Sequence, residues 1–354
     1  MIDFNVSRRA VLAGLAAIPF IPGVAHAGKV GKITRLDPAL DAVIDVNAPI
    51  ETLGTGYKWS EGPVWYRPGG FLLFSDVPSN TIHRWKAGEG VTPFMSPSGL
   101  AGEIPAGIRE AGANGLAIDE AGQWAGAGYW GPDVSFFSLI MADSGTRAIA
   151  RVDVATKKKV ILADRFEGKR FNSCNDLAIA ANGAIYFTDP PYGLAEGDTS
   201  PLRELDFNGV FRLGTDGRVT VIDRSLHRPN GVALSPDQRT LYVAMSDEKR
   251  PHILAYALGE DGGVIGEARI LCDFSAELAR KLPGLPDGLK VAKSGHLFVT
   301  APGGVYVLTP QGKKLGLIAT GKATANCAFG EDGKTLFLTS HDTLAKVRLK
   351  QSAW

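Results

Sequence analysis

Six short phrases of this chain place an oxygen-bearing side chain at the mouth of a short apolar run. They are Glu61 in SEGPVW, Asn114 in ANGLAIDEAG, Asn175 in NDLAIAANG, Asn230 in RPNGVALSPD, Asp287 in PDGLKVAKSG and Asn326 in ANCAFGEDG. One such residue is ordinary turn chemistry, because Asn and Asp cap the chain as it enters a strand. Six in phase, with a Glu among them, suggest a ring. The donors would be two carboxylates and four carboxamides, with no His and no Cys. Oxygen donors converging on an axis suit a hard divalent cation, Ca²⁺ first and Mg²⁺ or Mn²⁺ next; Zn²⁺ more often recruits His or Cys. Two acids crowded on an axis also repel one another unless a cation stands between them.

The elements that would carry such a ring are strands. FLLFSDV, AIYFTDP, TLYVAMS, HLFVTAP and TLFLTSH are rich in aromatic and β-branched residues and bounded by Gly, Pro, Asp or Asn. Helical periods are scarce; ELARKLPG at 277 allows one short turn of helix. Each unit opens with its polar residue and proceeds through an apolar strand, a turn, a second strand and one or two more. The units start near 61, 114, 175, 230, 287 and 326, so they are 39 to 61 residues apart. A four-stranded propeller blade takes about 40–50 residues. The expected fold is therefore all-β, a six-bladed β-propeller over residues 28–354 with the metal site at one mouth of its central channel. The last unit shows three strands, and the segment 42–56 is expected to supply its fourth, joining the two ends of the chain. The segment 125–150 reads as an aromatic-rich loop that interrupts the second blade beside the channel mouth.

Composition bounds the rest. With 354 residues, 45% hydrophobic and 21% charged, the chain can bury a large core, and a formal charge of +1 gives no electrostatic drive toward nucleic acid. Residues 1–27 carry Arg8 and Arg9, a short apolar run and AHA ending at Ala27, the pattern of a twin-arginine export signal. Cleavage there leaves a periplasmic or secreted chain with no remaining stretch long enough to span a bilayer. Cys174, Cys272 and Cys327 match no zinc or redox spacing and read as small buried side chains.

The phrases SEGPVW, NDL with IYFTDPPYG, RPNGVALSPD and PDGLKV, in that order, resemble the gluconolactonase / senescence marker protein / luciferin-regenerating-enzyme family over roughly residues 50 to 345. The resemblance implies a six-bladed propeller holding one divalent ion, with Glu61, Asn230 and Asp287 as ligands. It places Asn175 beside the ion, shared between ion and substrate. One departure stands out. Animal sugar-acid lactonases of the family carry a substrate-gripping Arg two residues before the Asn that corresponds to Asn175, and this chain has Ser173 there.

The implied reaction is hydrolysis of a sugar lactone, in which a cation polarises the carbonyl and a carboxylate takes a proton from water. Asp287 is the first choice for that base. Asp189 of FTDPPYG is the second, with closure of its own turn as its competing role. Asn114 and Tyr192 join Asn175 in the expected substrate-binding set, and Trp130, Phe136 and Phe137 are expected to shape the pocket. His227 reads as a supporting residue. Two other functions fit the same pattern: a metal-dependent propeller hydrolase of aryl esters or phosphotriesters, and a sugar-binding propeller without turnover. The expected partner is a small-molecule sugar lactone, and a closed propeller needs no second copy, so a monomer or dimer is expected.

Overall fold

A computed structural model describes residues 30–122, 124 and 137–354. The expected export segment, residues 1–27, lies outside them. Among the described residues no helix is long and apolar enough to cross a membrane.

Among the described residues six antiparallel blades follow one another along the chain, each built on three or four strands in meander order, with a two-stranded ribbon, Arg165–Phe166 and Lys169–Arg170, between blades 2 and 3 in the sequence. Blade 1 runs from Ser60–Tyr66 to Gly90–Met95, blade 2 from Ala113–Asp119 to Lys159–Ala163, and blade 3 from Leu177–Ile179 to Val219–Asp223. Blade 4 runs from Pro229–Leu234 to Val264–Asp273, blade 5 from Leu289–Val291 to Lys314–Ala319, and blade 6 begins at Asn326–Gly330. Each inner strand touches the inner strand of the next blade, and Asn326–Gly330 returns to Ser60–Tyr66, so the ring of six is closed.

Closure comes from the chain ends, as the sequence predicts. Glu51–Thr55 pairs antiparallel with Thr343–Arg348 and completes blade 6. One strand was not expected. Lys32–Arg35 adds to the outer edge of blade 5 by pairing with Lys314–Ala319, covering an edge that would otherwise be open. The short helix also forms, at Ser275–Ala279.

The core lies between blades, where apolar faces of neighbouring sheets meet. Between blades 2 and 3, for example, Phe171, Phe187 and Phe211 are fully buried with Ile140, Ile149 and Ile185. The Phe187 and Phe211 rings stack with centroids 5.3 Å apart. Truncating one such Phe to Ala costs about 3–5 kcal/mol. All three cysteines are buried, and burial lifts the Cys174 thiol well above its ordinary range.

The segment 125–150 is not one loop. Ser138–Asp143 and Ala148–Asp153 are the second and third strands of blade 2. The connection that precedes them joins Asp119 to Ser138, which are paired at the end of the blade away from Asn114. The residues flanking it sit there too: Trp124 donates its indole N–H to Gly183 O at 2.8 Å, and Phe137 packs edge-on against Tyr66. Phe137 therefore takes no part in the mouth that carries Asn114. Trp130 and Phe136 lie outside the described residues.

Candidate active site

The six polar residues arrive at one mouth by two local devices. In blades 1, 2 and 4 the inner strand is bulged at its first residues, and Glu61, Asn114 and Asn230 sit at the irregularity. A bulge turns a side chain out of the pleat and here turns it toward the axis. In blades 3 and 5 the regular inner strand begins only at Leu177 and Leu289, so Asn175 and Asp287 precede it on extended chain.

Close approach of neighbouring backbones is what lets these residues share a site. A Cβ on Gly62 would lie 1.9 Å from Asn114 O, and one on Gly231 would lie 2.1 Å from Asp287 O. Only glycine allows these contacts between successive blades. Hydroxyl groups then hold the carbonyls in place. Ser75 Oγ donates to Asn114 O at 2.8 Å, Ser144 Oγ to Cys174 O at 3.0 Å and Thr188 Oγ1 to Asn230 O at 2.6 Å. Ser246 Oγ donates to Pro286 O at 2.6 Å, and Thr300 Oγ1 to Ala325 O at 3.0 Å. The hydroxyl comes each time from one blade and the carbonyl from the next. The signal was present in the sequence: the second-strand phrases FLLFSD, IYFTDP, LYVAMS and LFVTAP all carry Ser or Thr near their ends.

Five of the six ring residues line one cavity of about 520 Å³: Glu61, Asn114, Asn175, Asn230 and Asp287. Tyr192 lines it as well. Asn326 does not. Its Oδ1 accepts from Lys290 Nζ at 3.2 Å and from Cys327 N at 2.9 Å, and its side chain also supports the Glu61 carboxylate by a hydrogen bond, so it backs the ring without lining the cavity. The cavity also contains residues that the sequence pattern did not single out, among them Trp59, Arg109, Glu110, Ser246 and Leu285.

The carboxylates of this mouth are poorly compensated. Glu61 is almost fully buried, and its Oε2 accepts one hydrogen bond, from Gly62 N at 2.8 Å. Burial, reinforced by the charge of Asp176, pushes its carboxyl up to about 7 despite that bond, the Asn326 amide and the charge of Lys290. Asp287 Oδ1 is buried without a hydrogen-bond partner. Burial first, and then the charges of Glu61, Asp176 and Glu110, hold the Asp287 carboxyl well above the ordinary range. Asn230 donates one side-chain N–H to Ser246 Oγ at 2.9 Å and also stabilises the Asp287 carboxylate by a hydrogen bond, with its carbonyl oxygen free to serve as a ligand.

This set fits a hard cation. Among the described residues no three His, Cys, Asp or Glu side chains converge in a metal-binding group. The set at the mouth is instead two carboxylates, Glu61 and Asp287, with the carboxamides of Asn175 and Asn230. An unpartnered buried carboxylate oxygen beside a second buried acid is what a divalent cation would satisfy.

Two other sequence candidates belong elsewhere. Asp189 is fully buried and does not line the cavity; its oxygens accept from Asn172 N at 2.7 Å and Ser173 N at 2.8 Å, which closes the turn. His227 is half exposed and lies near Asp198 and Asp247, also outside the cavity lining. Ser173, in the position of the gripping Arg, is a staple: its Oγ donates to Pro190 O at 2.6 Å and accepts from Gly193 N at 2.8 Å.

Comparison with known proteins follows the same lines. Residues 59–342 match the family model described as SMP-30/Gluconolactonase/LRE-like region. The chain is 45% identical to a gluconolactonase of Zymomonas mobilis over 98% of each chain. A solved gluconolactonase structure from Xanthomonas campestris superposes with a TM-score of 0.74 at 31% identity, covering 92% of this chain and 99% of that one. Similarity to the diisopropyl-fluorophosphatase of Loligo vulgaris is lower, 24% identity over 81% of this chain and 87% of that one.

Proposed function

The chain belongs to the SMP-30/gluconolactonase/LRE-like family, and from that premise we propose that it is a lactonase that hydrolyses a sugar lactone at the Glu61–Asp287 mouth of its propeller with the help of one divalent cation. The observation that carries this reading is the unpartnered, buried Asp287 Oδ1 in a cavity that also holds Glu61, Asn114, Asn175 and Asn230. Glu61, Asn175, Asn230 and Asp287 would hold the cation, Ca²⁺ by preference for an all-oxygen set that includes carboxamides. When bound, it supplies positive charge that stabilises the negative charge developing on the carbonyl oxygen under attack.

The chain's own residues do the remainder. Asp287, whose Oδ1 would face the cation, takes the proton of the attacking water at its other carboxylate oxygen and passes it on to the ring oxygen that leaves as a hydroxyl. Asn114 and Asn175 orient the ring by hydrogen bonds, and Tyr192 contributes a buried hydroxyl. Trp59 and Leu285 present apolar surface suited to the C–H face of the ring. Asp189 is left out of the chemistry, because both its oxygens are committed to backbone N–H groups.

The greater similarity to a gluconolactonase than to the fluorophosphatase favours a lactone over a phosphotriester. The N-terminal pattern supports export by the twin-arginine route, and the closed ring supports a monomer or dimer. The test is acid release from D-glucono-1,5-lactone above its spontaneous rate, run beside an aryl ester and a phosphotriester. Preference for the lactone supports the reading. Turnover of only the other two would replace it with the phosphotriesterase-like alternative.

A further inference from the structure

We propose that Glu110, positioned by Arg109, is the residue with which this cavity recognises the hydroxyl groups of its substrate, so that the enzyme selects polyhydroxylated ring lactones over bare ones. The inference rests on the lactonase reading above and assigns to it a residue that lies outside the ring of six.

Glu110 sits on the connection between blades 1 and 2, which passes over the mouth. That connection is anchored to the turn after Asp189. Arg109 N donates to Gly193 O at 2.8 Å, Ala195 N donates to Gly107 O at 2.8 Å, and Ile108 forms a β-bridge with Leu194. Tyr192 is on the same turn. The two loops thus form one wall of the cavity, with Arg109, Glu110 and Tyr192 lining it.

The polar atoms of this wall are incompletely used. Glu110 Oε1 accepts from an Arg109 guanidinium N–H at 3.2 Å, while Oε2 is buried with no partner. The Tyr192 hydroxyl is also buried, beside Ser246, whose oxygen already accepts from Asn230. A carboxylate oxygen can only accept, and a phenol can both donate and accept. Together they complement neighbouring hydroxyl groups, each of which donates one hydrogen bond and accepts others. A bare ring would leave Glu110 Oε2 desolvated and unpaired, with Tyr192 restricted to Ser246, and a site of that kind discriminates strongly against the analogue that lacks the hydroxyl. Ser173 is committed to its own turn, so Arg109 and Glu110 give this chain a polar grip from a different loop.

The test compares D-glucono-1,5-lactone with δ-valerolactone, the same six-membered ring without hydroxyls, in the unmodified protein and in Glu110→Gln, Glu110→Ala and Arg109→Ala. The preference for the hydroxylated ring, as a ratio of kcat/KM values, should fall by about 10- to 100-fold in Glu110→Ala, the range for a hydrogen bond to a charged group. The change should lie mainly in KM, with Glu110→Gln intermediate and Arg109→Ala smaller. Binding of D-glucono-1,5-lactam, a hydrolysis-resistant ring with the same hydroxyls, should weaken in the same order. A lower Tm with an unchanged ratio would reduce the pair to a structural ion pair and overturn the proposal. Equal losses on both lactones would also overturn it. If the unmodified protein neither hydrolyses the gluconolactone nor binds the lactam, the lactonase reading itself falls and takes this inference with it.

Discussion

Two aspartates, one partly buried at the mouth of blade 5 and one fully buried at the end of a strand in blade 3, show what separates the carboxylate proposed as base from a structural one. Burial raises both Asp287 and Asp189 above the ordinary range. Their companions differ. Asp189 has two backbone N–H donors, with the charges of Arg147 and Arg203 acting in its favour. Asp287 has a bare oxygen, and Glu61, Asp176 and Glu110 all act against its charge. A perturbed pKa alone would select both residues; lack of compensation, in a cavity that admits a ligand, selects one.

Exchanging each aspartate for asparagine should separate the two. Asp287→Asn keeps an oxygen donor and loses the base, so turnover of the lactone should fall by roughly 10²–10⁴-fold, the usual contribution of general-base catalysis. In the chelated protein its Tm should hold or rise, because a carboxyl crowded by Glu61, Asp176 and Glu110 has been removed. Near-normal turnover would exclude Asp287 as the base. Asp189→Asn should do the reverse. It turns an N–H₂ group toward backbone donors and costs about 1–3 kcal/mol, read as a Tm several degrees lower. Turnover per folded molecule should stay within a few-fold, and a loss rivalling that of Asp287→Asn would erase the distinction.

The smallest expected effect is a pH dependence. Burial pushes the folded-state Asp189 carboxyl up to about 7 from an ordinary 3.8, against the two backbone N–H bonds. Between those values the folded protein holds a proton that the unfolded chain has released. The group's stabilising contribution is complete below the unfolded value and is lost as pH rises through about 7. Asp189→Asn lacks this titration, so the Tm gap between the two proteins should narrow from pH 5 to pH 8. A gap that widens over that range contradicts the assignment.

The ring was legible because each blade repeats the same solution, with a polar residue, a small residue and an apolar run in fixed order. The closing strand was legible because blade 6 was one strand short and a β-type segment stood at the other end of the chain. Four features were hidden, for separate reasons. Asn326 shares the pattern, but its amide oxygen is taken by the adjacent Cys327 N and by Lys290 of blade 5, the latter a contact between blades that spacing does not encode. Strands Ser138–Asp143 and Ala148–Asp153 were absorbed into an apparent loop because an aromatic, Gly-containing stretch precedes them. Glu110 faces the cavity because Ile108 bridges to Leu194, far away in the chain, and loop residues carry no period that would announce such a contact. The strand Lys32–Arg35, with one buried residue in four, has too little apolar pattern to be read as a strand.

The central claim is that the mouth formed by Glu61, Asn175, Asn230 and Asp287 works as a cation-assisted lactonase site. The most direct test is hydrolysis of D-glucono-1,5-lactone by the purified protein as isolated, after treatment with a chelator, and after Ca²⁺, Mg²⁺, Mn²⁺ or Zn²⁺ is returned separately. The account predicts activity that disappears with the chelator and returns with one of these ions, Ca²⁺ foremost. Hydrolysis that continues undiminished in the chelated protein, with its Tm unchanged, would contradict it.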